Sequence, residues 1–184
     1  IGLAIDSFEQ VVNETNIPDS LKMSTLYSLS QLSMGQQDFK KALSFLNQWK
    51  QLKEASGTKD LTANQYVLFA QIYYQDKQYH ASLKHINQAI TAQSKHSDVA
   101  KRLPKEPWLI LQRANYFELK QPEKVTEVME ALVRYYSKPA YWLQLSAMYG
   151  ETEQEDKQLA VMEAAWQAGY ITKPSDVLTL AQLY

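Results

Sequence analysis

The sequence contains no cysteine, which excludes disulfides, thiolate zinc sites and a cysteine nucleophile. It has only three histidines, His80, His85 and His96, and their spacing does not place two of them on one helical face. We therefore interpret them as solvated side chains rather than as metal ligands or general bases. No apolar run approaches the roughly 20 residues of a membrane span. The sequence thus predicts neither a metal site nor a membrane-spanning segment.

Neither sign of charge is in excess, since 19 Lys and Arg face 20 Asp and Glu, for a net charge of −1. This balance gives no electrostatic reason to expect binding to nucleic acid or to an anionic membrane. The sequence also lacks a glycine-rich phosphate loop, a nucleophile elbow and a convergent acid–base cluster. We therefore predict that the chain is not an enzyme and uses no cofactor.

Glycine and proline are scarce, with five and six residues among 184, whereas there are 12 Tyr and four Trp. This composition suits long helices that meet through aromatic side chains, and it predicts an all-α fold. Asp19 and Ser20, which precede Leu21, can cap the start of a helix. Pro139 and Pro174 stand where a first helical turn tolerates proline.

One template of apolar or small residues recurs four times with the same offsets. An apolar residue opens one helix, a second position follows seven residues later, and a small or apolar residue opens the next helix sixteen residues after the first. The matches are Leu26, Ser33 and Ala42; Tyr66, Tyr73 and Ser82; Leu109, Tyr116 and Val125; and Trp142, Tyr149 and Gln158. Four residues further, the second helix places an apolar residue in each repeat, at Leu46, Ile86, Met129 and Met162.

The template resembles the tetratricopeptide (TPR) repeat, whose signature is an aromatic residue, then Leu-Gly two residues later, then Tyr, then Ala-x3-Phe in the second helix. The best match is at Trp142, Leu145, Ser146 and Tyr149. The resemblance covers essentially the whole chain. It implies an α-solenoid of about ten helices in antiparallel pairs that forms a right-handed superhelix.

We predict a single solenoid segment over residues 1–184. It comprises a half-repeat at 1–19, repeats at about 20–60, 61–105, 106–138 and 139–172, and a half-repeat at 173–184. The early repeats exceed the family period of about 34 residues, which predicts longer second helices or loops there. Residues 94–107 are the expected ordered insertion and hinge. Because the chain begins at Ile1 within an amphipathic pattern, we interpret it as a fragment of a longer protein.

The first helix of each pair is expected to line the concave face of such a solenoid. We predict that a partner binds there through Tyr27, Gln31, Met34, Gln71, Tyr74, Arg113 and Phe117. Aromatic anchors and the amides of Gln31 and Gln71 suit an amphipathic helix or an extended peptide. Contact with neighbouring helices is an equally good interpretation of Tyr27, Tyr74 and Phe117.

Arg113 occupies the position that Ala70 and Ser146 fill in neighbouring repeats, where a guanidinium would meet a packed interface. Two hypotheses follow. The side chain extends to a local carboxylate such as Glu127 or Glu130, or it binds a partner. The first hypothesis is favoured by the sequence.

Residues 108–117, 141–150, 157–163 and 167–172 resemble a narrower group, the TPR proteins of Gram-negative gammaproteobacteria encoded beside ExbB, ExbD and TonB genes. This resemblance covers roughly 61–184. It implies a periplasmic, non-catalytic scaffold that assists TonB-dependent uptake by contacting TonB, ExbB or ExbD. The alternatives are an assembly or oligomerisation module with no dedicated peptide site, which would form homo-oligomers, and a cytoplasmic location.

Overall fold

A computed structural model describes residues 2–14, 16–58 and 60–184, and throughout them the regular structure is helical. The α-helices are α1 (Gly2–Asn13), α2 (Asp19–Gly35), α3 (Phe39–Ala55), α4 (Ala63–Gln75), α5 (Tyr79–Ser94), α6 (Glu106–Glu118), α7 (Pro122–Tyr136), α8 (Pro139–Glu151), α9 (Glu155–Gln167) and α10 (Pro174–Gln182). A short 3-10 helix lies at Val99–Lys101. None of the helices in these ranges combines the length and the apolar character that a membrane crossing requires.

The chain divides into two compact units, residues 1–102 and residues 103–184. The first unit contains α1 to α5 and the second contains α6 to α10. Helices α2 and α3, α4 and α5, α6 and α7, and α8 and α9 pack together as pairs. Within each pair only three residues separate the two helices, so the chain reverses direction and the pair is antiparallel. The predicted all-α fold of antiparallel helix pairs is confirmed.

The turn inside each pair has the same backbone geometry in all four cases. Its middle residue adopts a left-handed conformation, with φ of 64° at Gln37, 59° at Lys77, 55° at Lys120 and 56° at Glu153. The next residue donates its backbone N–H to the carbonyl of the template's second position, as between Gln78 and Tyr73 at 2.8 Å. The bond satisfies a carbonyl that the end of the first helix would otherwise leave free. The four predicted repeats therefore share one structural register.

The core follows the same register. The four apolar residues predicted for the second helices, Leu46, Ile86, Met129 and Met162, are at most 2% exposed. In the first unit, Leu46 belongs to a cluster that includes Leu26, Leu29 and Phe69. In the second unit, Met162 packs with Ala165 and Leu180. Burial of such side chains is the main favourable contribution to holding each pair together.

The second helices shorten along the chain, from 17 residues in α3 to 16, 15 and 13 in α5, α7 and α9. This confirms the prediction of longer second helices in the early repeats. The segment 94–107 is ordered, with the Asp98 carboxylate accepting from the Ala100 N–H and Arg102 Nε donating to the His96 carbonyl at 2.9 Å. Its role as a hinge stays a prediction.

Two helix-start predictions have different outcomes. Pro139 and Pro174 each begin a helix, as expected. The predicted cap by Asp19 and Ser20 is wrong, because α2 already begins at Asp19 and Pro18 takes the capping position without a side-chain hydrogen bond. Proline has no side-chain acceptor, and its fixed φ directs the following residues into the helix.

His85 is not solvated, contrary to the sequence interpretation. Its ring stacks on Phe69 and Tyr73 with centroids 5.0 and 5.2 Å away, and its Nδ1 lies 2.8 Å from the Ala81 carbonyl. Burial lowers the pKa of His85, the hydrogen bond to Ala81 opposes this, and nearby Lys50 adds to the lowering. The neutral ring donates from Nδ1 and is part of the packing between α4 and α5.

We expect Lys77→Gly to raise the free energy of unfolding by about 0.5–1 kcal/mol. A left-handed conformation costs a non-glycine residue roughly 1–2 kcal/mol, and glycine removes this cost. The extra backbone entropy of glycine in the unfolded chain offsets part of the gain in stability. Urea unfolding measures the change. The matched control is Lys84→Gly, at an exposed position inside α5, which should lower stability by about 1 kcal/mol. A lower free energy of unfolding in both variants would contradict the prediction.

We expect His85→Phe to reduce the loss of stability on acidification. Because folding lowers the pKa of His85 below its ordinary value, the unfolded chain binds more protons in the window between the two pKa values. The stabilising contribution of neutral His85 is therefore present above about pH 6.5 and decreases as the pH falls. Urea unfolding at pH 7, 6 and 5 compares the slopes. His80→Phe, at an exposed position, is the control, and a slope identical in all three proteins would refute this role for His85.

Candidate functional site

We call the exposed surface of the first helices the first-helix face. Helices α2 and α4 form it in the first unit, and helices α6 and α8 form it in the second. In the first unit it contains a hollow of about 520 Å³ at the C-terminal ends of α2 and α4. The hollow is lined by Met34, Gly35, Gln37, Phe39, Gln71 and Gln75. Three amide side chains supply donors and acceptors, and Met34 and Phe39 supply apolar surface. This uncharged lining matches the needs of a polypeptide main chain.

The structure brings two of the predicted residues, Met34 and Gln71, into this hollow. Gln31 is exposed on α2 outside it. Tyr27 packs against Trp49 of α3 with ring centroids 5.2 Å apart, and burial raises the pKa of its hydroxyl. Tyr74 packs on Tyr79 of α5 at 5.6 Å. Both tyrosines therefore contact second helices and lie outside the hollow.

In the second unit, Arg113 lies on α6 and reaches across to α8. Its Nη1 donates to Gln144 Oε1 at 2.8 Å and lies 3.1 Å from the Met129 sulfur. Among the described residues Arg113 forms no ion pair, so the predicted pairing with Glu127 or Glu130 is wrong.

Both carboxylates are engaged by closer donors. Lys124 lies one turn from Glu127 on α7 and binds it at 2.7 Å. The Tyr149 hydroxyl donates to Glu130 at 2.5 Å, and burial, helped by this carboxylate, raises the pKa of Tyr149 to about 12. The guanidinium is thus left with a neutral acceptor.

Phe117 is the most exposed large apolar side chain of α6, at 70% of its surface, and Ile110 is 38% exposed. Phe117 also lines a hollow of about 360 Å³ beside the turn to α7, with Lys120 and Pro122. Because Ile110, Arg113 and Phe117 follow one another at three- and four-residue spacing, they lie on one side of the helix. The structure therefore places Arg113 between two exposed apolar side chains.

A polar cluster at the N-terminal end of α6 was missed by the sequence reasoning. The Glu106 carboxylate accepts from Lys138 Nζ at 2.6 Å and from the Tyr141 hydroxyl. These bonds lower the pKa of Glu106, while burial, followed by the Glu106 carboxylate, raises that of Tyr141 to about 12. The repeat register could have revealed the cluster, since these residues lie at the starts of neighbouring first helices. Its charges are paired within the fold.

Within residues 2–14, 16–58 and 60–184, no three His, Asp or Glu side chains converge in a way that could hold a metal ion. The strongest chemical features of the site are therefore the amide-lined hollow and the guanidinium of Arg113. Both are suited to binding through hydrogen bonds.

Similarity to known proteins was found at the level of structure. The chain is similar to MamA, with a TM-score of 0.61, 14% identity and coverage of 89% of this chain and 85% of MamA. It is also similar to a protein described as a kinesin light chain with nearly identical TPR-like repeats from Podosopora anserina, with a TM-score of 0.59, 16% identity and coverage of 94% and 89%. BtubC (BKLC) from P. vanneervenii gives a TM-score of 0.50, 13% identity and coverage of 100% and 80%.

No protein-family model and no curated protein sequence matches the chain. At these identities the structural similarities show the fold alone. The fold is that of TPR-like helical repeat proteins, as the repeat template predicted.

We expect Tyr27→Ala to lower the free energy of unfolding by about 2–3 kcal/mol, because it removes a half-buried ring that packs on Trp49. The control is Gln31→Ala, one turn later on the same helix and exposed, which should stay within about 0.5 kcal/mol of the original protein. Thermal and urea unfolding report both changes. If Tyr27→Ala is as mild as Gln31→Ala, Tyr27 belongs to the binding surface.

Proposed function

We propose that this chain is a non-catalytic protein-binding scaffold that holds a partner polypeptide on its first-helix face. The observation that carries the proposal is the hollow lined by Gln37, Gln71 and Gln75 beside Met34 and Phe39. Amide groups can exchange hydrogen bonds with water for hydrogen bonds with a peptide main chain, and the neighbouring apolar surface is released from water on binding. The hollow is built on regular helices, so little of the scaffold has to become ordered.

The residues proposed to take part are Tyr27, Gln31, Met34, Gln71, Tyr74, Arg113 and Phe117. Met34 and Gln71 line the hollow, whereas Tyr27 and Tyr74 support the helices that carry it. Arg113 and Phe117 belong to the first-helix face of the second unit.

We further propose that the partner is a component of a TonB-dependent uptake system, namely TonB, ExbB or ExbD, and that the protein acts in the periplasm. This part of the proposal is supported by the sequence resemblance of residues 61–184 to TPR proteins encoded beside those genes. Binding of a protein segment to a preformed helical surface requires no nucleotide, metal or cofactor.

An assembly module is a second candidate, favoured by the apolar surface of α10. On this helix Leu178 is 59% exposed and Val177 is 39% exposed, and Tyr184, which follows the helix, is 81% exposed. Such side chains can pack against another helix pair or a second copy of the chain. In that case the hollow in the first unit would have no dedicated ligand.

An affinity capture from Gram-negative envelope extract tests these proposals, with the immobilised chain as bait and mass spectrometry as the readout. We expect TonB-system components on the original chain and about tenfold less on Gln71→Ala/Gln75→Ala, because two hydrogen bonds of about 0.5–1.5 kcal/mol each are lost. Alanine favours the helix, so α4 should persist.

The matched control is Gln48→Ala/Gln51→Ala, which removes two exposed amides from the second helix α3. It should capture as much as the original chain. Equal capture by all three proteins would refute a site in the hollow. Recovery of only further copies of the bait would instead support the assembly module, and recovery of other proteins through the hollow would refute the TonB assignment alone.

A further inference from the structure

The guanidinium of Arg113 has unused hydrogen-bonding capacity. Its described hydrogen bonds both involve Nη1, to Gln144 Oε1 and to the Met129 sulfur. A guanidinium carries five N–H donors in a planar fork. The remaining donors have no acceptor among the described residues, and both hydrogen-bonded neighbours are uncharged.

Gln144 adds a second donor beside Arg113. Because its Oε1 accepts from Arg113, its amide orientation is fixed and the Nε2 group is directed away from the guanidinium. Gln144 is exposed on α8, and its Nε2 has no acceptor among the residues that the structure describes. The pair therefore presents a cation next to a neutral N–H donor.

Nearby charges do not compensate Arg113. Glu106 is bound by Lys138 and Tyr141, Glu127 is bound by Lys124, and Glu130 accepts from a tyrosine hydroxyl. In the described part of the second unit, these contacts leave Arg113 without an ion pair. A carboxylate is the anion that an arginine fork binds through two parallel hydrogen bonds.

Exposed apolar side chains lie on both sides of this donor pair. Ile110 precedes Arg113 by three residues and Phe117 follows it by four, so their positions are separated from it by rises of about 4.5 and 6 Å along α6. In an extended peptide, every second side chain points to the same side, at intervals of about 6.6 Å. Among side chains on one side of an extended peptide, an acidic residue with apolar residues two positions before and after it comes closest to this spacing.

We infer that the first-helix face of residues 103–184 binds an extended peptide segment whose acidic side chain, flanked by apolar side chains at the −2 and +2 positions, pairs with Arg113 and Gln144. The inference rests on the proposed function, and it specifies the chemistry of the partner. A phosphorylated segment is a poorer fit, because a dianion calls for a second cation and Lys138, the residue before α8, is already paired with Glu106.

Two fluorescein-labelled peptides test the inference by fluorescence anisotropy. One has the core Ser-Leu-Ser-Glu-Ser-Leu-Ser, and the other has Gln in place of Glu. We expect the whole chain to bind the Glu peptide about tenfold more tightly at low salt, because a hydrogen bond to a charged group is stronger than one to an amide. The preference should decrease as salt is added.

Three variants test which residues produce the preference for the Glu peptide. Arg113→Gln should bind both peptides with less than a twofold difference, and Gln144→Ala, at an exposed position, should reduce the preference about threefold. Phe117→Ser should weaken the binding of both peptides to the same degree, so the preference for the Glu peptide should remain. Circular dichroism confirms that each variant is folded, and Gln144→Ala still tests the inference if Arg113→Gln unfolds.

Equal affinity of the original chain for the two peptides would overturn the inference, as would a preference that survives in both Arg113→Gln and Gln144→Ala. Failure of both peptides to bind would also overturn it. None of these outcomes bears on capture through Gln71 and Gln75 of the first unit, so failure of the inference is distinguishable from failure of the scaffold proposal.

Discussion

The three-residue turn inside each helix pair is the constraint on which the rest of the structure depends. One residue must adopt a left-handed conformation so that the next N–H can return to a carbonyl in the last turn of the first helix. The turn fixes the direction of the second helix relative to the first, and it determines which residues face each other where the two helices cross. Between α4 and α5 the crossing is close enough for the Ser82 hydroxyl to donate to the Ala70 carbonyl at 2.8 Å. Small side chains at these positions allow that approach.

The same constraint explains how a packing position becomes a surface feature in the second unit. The fixed turn places Arg113 and Val125 where Ala70 and Ser82 stand in the preceding pair. A guanidinium left inside such a crossing would lose its hydration without gaining enough partners. Its Nη1 instead lies beside the Met129 sulfur and donates to Gln144 Oε1 on α8. As a result, the geometry of the helix crossing places the positively charged guanidinium of Arg113 on the first-helix face.

Periodicity predicted the parts of the structure that depend on burial alone. The second-helix residues Leu46 and Met162 could be placed in the core because their offsets are set by helix geometry. The neighbours of Arg113 and His85 could not be predicted in this way. For Arg113 the outcome depends on competition, since Lys124 reaches Glu127 within one helical turn. The aromatic surroundings of His85 depend on how α4 and α5 are rotated against each other, which a single-helix pattern does not encode.

The two units differ in the kind of selectivity that their surfaces can provide. The amide-lined hollow of the first unit can bond to any main chain, because backbone groups are the same in every sequence. Its uncharged lining also costs less to desolvate than a charged lining would, so it can contribute affinity without preference for a particular segment. Discrimination has to come from groups that bind side chains, and the hydrogen-bonded pair of Arg113 and Gln144 is the one that we propose for this role in the second unit. A charge that is paired within the fold, like that of Glu106, cannot discriminate in this way, because a partner would first have to displace Lys138.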